Sequence, residues 1–185
     1  MGILTDAMKR MVCEQRLGYV ATVCPDGTPN LSPKGTTTVW DEDHLVFAHI
    51  CSPNTVANLK RNHAIEINVV DPILRKGFRF KGIARVLEEG PEYEQGLDFF
   101  RKMGVSTERG GRPRVKAIVL VRVERALPLV SPAYDTGRSE EEVRAEWERY
   151  WEELRSGDEE DPARVRSASR SESIWSTPVD QLARG

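Results

Sequence analysis

Between Gly27 and Gly82 the chain carries three β-like runs that are short of bulk. They read GTPNLSPKGTTTVW, HLVFAHI and RKGFRFKG, with small and hydroxyl residues where core strands carry Val, Ile or Leu. A sheet that gives up volume at Ser32, Gly35, Thr36, Ala48 and Gly77 leaves space beside it. Donors border that space: Lys34, His49, Ser52, Asn54, Thr55, Lys76, Arg79 and Lys81. Space and donors together predict a bound anionic ligand, so this segment constrains function as well as fold.

The surrounding pattern sets the architecture. Leu4, Met8, Met11 and Val12 mark one face of a helix over 3–17, with Thr5 or Asp6 as cap and Gly18 as stop. Tyr19–Val23 alternates as a strand, and Pro25-Asp26-Gly27 is a turn: Pro fixes φ and Gly accepts positive φ. Further strands are expected over Asn30–Trp40, His44–Ile50, Ala64–Val70, Phe78–Glu88 and Val115–Val123. Helices are expected over Thr55–Asn62, capped by Ser52 or Asn54, and over Pro91–Met103. The run ERGGRPR reads as a basic loop. About six short strands within 18–130 predict a small antiparallel barrel with flanking helices rather than a βαβ array. From Arg138 the composition turns acidic. A helix with Val143, Trp147, Tyr150, Trp151 and Leu154 on one face leads into a Ser- and Arg-rich tail from about Ser156, with an apolar pair at Ile174-Trp175.

Composition narrows the function classes. The formal net charge is -2, which gives no reason to expect nucleic acid or an anionic membrane as partner. No apolar run approaches the ~20 residues needed to span a bilayer, and the opening MGILTDAMKRMV lacks a signal peptide's apolar core. The expected location is the cytoplasm. Three cysteines (Cys13, Cys24, Cys51) without a CxxC pair argue against a disulfide framework or structural zinc. His44, His49 and His63 lack HxH or HxxxH spacing, so no metal site is expected. There is no GxSxG, no P-loop and no paired-carboxylate motif, so no catalytic residue is assigned and any redox chemistry belongs to a cofactor.

The ordered set LGYVATV, DGTPNLSP, LVFAH, SPNTVANLKRN and KGFRFKGIARV, followed by VSPAYD, resembles the pyridoxamine 5′-phosphate oxidase-like FMN-binding split-barrel family. The resemblance covers about 5–135 and implies a six-stranded antiparallel split β-barrel over residues 1–135, with 136–185 as an acidic helix and tail. It implies FMN as cofactor, with the deazaflavin F420 as the alternative, and a homodimer with the cofactor at the interface. The resemblance nominates Ser32, Pro33, Lys34, Gly35 and Thr36 along the flavin ring and ribityl chain. Ala48, His49 and Ile50 would meet the ring edge, Ser52, Asn54 and Thr55 the phosphate, and Lys76, Gly77, Phe78 and Arg79 the pyrimidine side or the partner subunit. The phosphate assignment has physical support, since a helix N-terminus offers unpaired N–H groups and the positive end of a dipole.

Each nominated residue also has a plainer reading. Ser52, Asn54 and Thr55 are natural helix caps, Lys34 and Arg79 are solvated strand residues elsewhere, and His49 is a satisfied structural histidine. Two departures from the oxidases matter. Asn54-Thr55 stands where they carry an Arg-Lys pair in the phosphate loop, and Ser167–Gly185 holds no match to their C-terminal Arg/His substrate motif. The resemblance therefore points to an FMN-dependent oxidoreductase working through flavin N5 on an unknown small molecule, or to a flavin-binding module without turnover, rather than to vitamin B6 oxidation.

Overall fold

The computed structural model describes residues 2–156. Residues 1–139 form one compact unit, and the helix that follows belongs to a second. In chain order the elements are α1 (Asp6–Gln15), β1 (Gly18–Val23), β2 (Pro29–Lys34), β3 (Thr38–Val39), β4 (His44–His49), α2 (Pro53–Arg61), β5 (Ala64–Asp71) and β6 (Lys76–Leu87). They continue with α3 (Pro91–Lys102), the two-residue strands β7 (Glu108–Arg109) and β8 (Arg112–Pro113), β9 (Ala117–Val130), a 3-10 turn (Pro132–Tyr134) and α4 (Glu140–Ser156).

Seven strands form one sheet in the order β2-β1-β5-β6-β9-β4-β3, antiparallel at every pairing. The two edge strands, β2 and β3, are neighbours in sequence, joined only by Gly35-Thr36-Thr37. In a flat seven-stranded sheet the edges would lie roughly 29 Å apart, at ~4.8 Å per strand. The chain from Lys34 to Thr38 reaches about 14 Å at most. The short connection therefore forces the sheet to curl until its edges meet, which is a split barrel whose seam is residues 34–38.

Seven strands stand where six were expected, because the run over Asn30–Trp40 is broken. Thr37 folds back at the seam, its N–H and its Oγ1 both donating to the Lys34 carbonyl at 3.3 and 2.9 Å. The strand expected over Val115–Val123 extends to Val130. A bulge at Lys81/Gly82 corrects the register and keeps β6 paired to β9 along its whole length. Helix α1 stops at Arg16, in the left-handed region at φ 51°, rather than at Gly18. The loop ERGGRPR contains a tight hairpin, β7–β8, turned by Gly110 and Gly111 at φ 60° and 72°.

The barrel is filled by Val20, Leu45, Phe47, Ile67, Val69, Phe80, Val119 and Val121, and closed by Leu4 and Val12 near and on α1 and Leu59 on α2. A second cluster packs α3, through Leu97 and Phe100, onto Val46, Ala48 and Ile118. Strand β4 is thus buried on both faces, which explains its continuous apolar run Leu45–Ala48. In α4 the rings of Trp147, Tyr150 and Trp151 meet edge-to-face at 5.3 and 5.8 Å. Glu140–Glu142 in its first turn suit the helix dipole. The tail beyond Ser156, Ile174-Trp175 and Ser167–Gly185 lie outside the described residues. Among the described residues no helix is long and apolar enough to cross a membrane, and no cluster of His, Cys, Asp or Glu could hold a metal.

Candidate functional site

The barrel seam opens into a cavity of about 530 Å³, within the ~300–1,000 Å³ range of small-molecule sites. One wall is the end of β2 and the turn after it: Ser32, Pro33, Lys34, Gly35 and Thr36. The facing wall is the end of β4 and the entry to α2: Ala48, Ile50, Cys51 and Ser52, with Arg114 at the rim. The walls are stitched together by Thr36, whose Oγ1 accepts from the Ala48 N–H at 2.9 Å and lies 3.4 Å from the Ala48 carbonyl oxygen. Gly35 borders open space, because a Cβ there would meet no atom within 4 Å.

The cavity is electropositive, since Lys34 and Arg114 line it and no carboxylate does. Lys34 is only 5% exposed and donates from Nζ to Ser32 Oγ. Burial pushes its amine below the usual lysine pKa. At the α2 entry the Ser52 hydroxyl makes no capping bond, contrary to the expected cap, and Pro53 occupies the first turn without an N–H. The main-chain N–H groups of Asn54 and Thr55 therefore have no partner within the helix.

His49, between Ala48 and Ile50, does not line the cavity. It is buried, and its Nδ1 accepts from the Ser52 N–H at 3.3 Å while its carbonyl accepts from Lys116 N at 2.8 Å. Burial, then the nearby charges of Lys116 and Lys34, holds its pKa below the ordinary histidine value, so the ring is neutral at pH 7. It fixes the turn into α2. The Thr55 hydroxyl also looks inward, accepting from Asn30 Nδ2 at 3.4 Å. Asn30 and Asn58 both donate to Thr22 Oγ1 at 3.1 Å, so Thr55 closes a buried polar network between α2 and the barrel. What Thr55 offers a ligand is its main-chain N–H.

Lys76, Gly77, Phe78 and Arg79 are not brought to this cavity. They lie at the start of β6, where Lys76 sits 4.0 Å from the Tyr134 ring centroid and Arg79 pairs with Glu66. Gly77 is glycine for packing, because a Cβ there would stand 2.1 Å from the Val69 carbonyl oxygen. Sequence reasoning missed Cys51 and Arg114. Cys51 directly follows the nominated strand end Ala48–Ile50 and precedes the nominated Ser52, whereas Arg114 depends on how the hairpin folds back.

A family model described as pyridoxamine 5′-phosphate oxidase matches residues 4–128, two thirds of the chain. The chain belongs to this family. Among solved structures, HupZ of Group A Streptococcus is 32% identical, with 70% of this chain and 96% of that chain covered at a TM-score of 0.60. An FMN-binding protein from Syntrophomonas wolfei (18% identity, 69% and 87% covered, TM-score 0.57) and an F420 reductase (23%, 66% and 98%, 0.52) share the fold. A comparison with curated proteins found no match.

Proposed function

We propose that this family member binds FMN in the seam cavity, as a homodimer, and acts as an oxidoreductase on a small molecule. The carrying observation is a cavity of ligand size with a buried lysine bonded only to a hydroxyl, a glycine facing open space and no carboxylate in the lining. The flavin phosphate would take the Asn54 and Thr55 N–H groups and the Ser52 hydroxyl at the α2 entry. The ring would lie along Ser32–Thr36, with Ala48 and Ile50 at its edge. Bound flavin supplies hydride transfer through N5, while the protein contributes position and charge.

A homodimer is supported by the exposed apolar face of the sheet edge. Tyr19, Val23 and Leu31 stand in solvent there, Leu31 at 66% exposure, beside an apolar recess lined by Ala21, Ile65 and Ile83. Any contact of Lys76–Arg79 with the cofactor would come from the second copy. The alternative cofactor is F420, whose longer acidic tail needs extra cations. The cations of α2, Lys60 and Arg61, lie at its far end, and Lys60 pairs with Glu88 at 2.7 Å. That favours FMN.

The purified protein is expected to take up FMN at micromolar concentration and to show a perturbed flavin absorption band. Absence of any bound flavin sinks the reading. Anaerobic reduction, then reoxidation by added acceptors, separates an enzyme from a binding module.

A sharper check uses Gly35. Its backbone is not in the left-handed region and its Cβ position is open, so Gly35→Val should leave the urea midpoint nearly unchanged. The valine would project into the cavity and weaken FMN binding by about tenfold or more, as filling a close-packed contact does. Equal FMN affinity in wild type and Gly35→Val would place the cofactor elsewhere.

A further inference from the structure

A second recess, of about 320 Å³, opens beside the seam cavity and shares Ile50, Cys51 and Arg114 with it. Its remaining lining is Arg109, Arg112, Pro113 and Lys116. Four cations thus surround one small space, and no carboxylate lines it. This is a local concentration, since the chain as a whole carries a net charge of -2. Several other surface cations are matched, namely Lys9 with Glu42, Arg85 with Glu92, Arg101 with Asp98 and Arg122 with Glu124. Arg109, Arg112, Arg114 and Lys116 have no acidic partner among the described residues. Glu108, on the same hairpin, lines the recesses beside α3 instead.

The hairpin geometry adds an independent observation. Arg109 and Arg112 are direct cross-strand partners in β7–β8. Like charges placed opposite each other destabilise a ladder, and a two-residue ladder has little to set against that. The arrangement is nevertheless held on a fixed base. Arg114 and Val115 N–H both donate to the Thr107 carbonyl, at 2.8 and 3.2 Å, and Val115 is fully buried with its carbonyl bonded by Tyr93 Oη at 2.9 Å. Thr107 is buried too, and its Oγ1 accepts from Arg101 Nε at 3.1 Å. Repelling guanidiniums on an anchored base are relieved by an oxyanion between them, and the planar guanidinium fork suits such a group.

We infer that this recess is an anion subsite for the substrate, so the substrate class is a small molecule bearing a compact multiply charged oxyanion group, phosphoryl or paired carboxylate. The inference rests on the proposed flavin site next door. Arg114, on the rim shared by both spaces, would sit between the anionic group and the reacting part of the substrate over the ring.

The test titrates FMN-loaded protein with inorganic pyrophosphate and, separately, malonate, by calorimetry at low salt. Arg109→Ala/Arg112→Ala serves as the variant, since both residues are exposed and outside the FMN cavity. Saturable binding of either anion is expected, with FMN retained. The double variant should weaken it by ~tenfold or more and change FMN affinity less than twofold. The stronger of the two anions identifies the phosphoryl or carboxylate source. The inference is overturned by no saturable binding, by unchanged binding in the double variant, by displacement of FMN by pyrophosphate, or by displacement of pyrophosphate by F420. A single-stranded oligonucleotide that binds more tightly through the same arginines would also overturn it. If FMN itself fails to bind, the flavin reading falls, and the pyrophosphate titration on the cofactor-free protein still reports whether the recess holds anions.

Discussion

Gly82→Ala is expected to destabilise the protein by about 3 kcal/mol or more, a large share of the ~5–15 kcal/mol that holds a domain folded. Gly82 is fully paired in β6 at the bulge, opposite Val123 of β9. A Cβ there would stand 2.1 Å from the Arg122 carbonyl oxygen and 3.0 Å from its carbon. Those are backbone atoms of the neighbouring strand, so no rotamer change relieves the clash. Relief requires β9 to retreat from β6, and the β6–β9 pairing is the longest in the barrel. Gly77→Ala should behave alike, against the Val69 carbonyl. Gly35→Ala is the internal control. It meets nothing, and it removes only unfolded-chain freedom, so its midpoint should be unchanged or slightly raised. Urea titrations of the three variants decide the matter. A Gly82→Ala midpoint equal to that of Gly35→Ala would mean that the strands separate there without cost.

The three glycines also show what was legible in the sequence. All lie in the segment whose lack of bulk predicted a ligand, yet only Gly35 borders the cavity. Small residues in a strand signal close approach, and the sequence does not say whether the approaching atoms belong to a ligand or to the next strand. The pattern was sufficient for the barrel because alternation and turn chemistry are local, and the Gly35–Thr37 link then dictates closure. It placed Ser32–Thr36, Ala48, Ile50 and Ser52 in one site for the same reason, since each ends an element at the seam. Lys76–Arg79, expected at the pyrimidine side or the partner subunit, lie away from the cavity of their own copy, where their partners, Glu66 and Tyr134, are set by pairing register and by a 3-10 turn. Thr55 divides the two cases. Its position at the α2 entry was readable, but the hydroxyl's engagement with Asn30 depends on how α2 packs on β2. Arg114 was missed because a run of arginines beside two glycines looks solvated until the hairpin folds over Ile50 and Cys51.

Lys34→Met should change stability and cofactor affinity in opposite directions. The Lys34 ammonium is nearly excluded from water and has one hydroxyl, Ser32 Oγ, and no carboxylate to compensate it. A buried charge without a counter-charge costs stability, so the cofactor-free protein should gain stability when the amine is replaced by an apolar chain of similar length. The pH dependence follows from the direction of the pKa change. Burial lowers the folded-state value below 10.5, so between the two values the unfolded chain holds a proton that the folded chain has released. Wild-type stability therefore rises with pH across that window, while below the folded value both states are charged and the full cost stands. The wild-type-minus-Lys34→Met difference isolates this effect, because the other titrating groups are common to both. The variant's advantage should be constant near neutral pH and shrink as pH climbs toward 10.5. With FMN the sign reverses. In the proposed flavin site the replacement would remove a charge-assisted contact to the ring's electronegative edge, and FMN binding should weaken by ~tenfold to a hundredfold, or about 1.5–3 kcal/mol. A variant less stable without cofactor, with FMN affinity intact, would make Lys34 a structural residue and leave the cavity without the charge that defines it. The reverse pair of results means that the fold tolerates an unpaired ammonium at the seam because a ligand completes it.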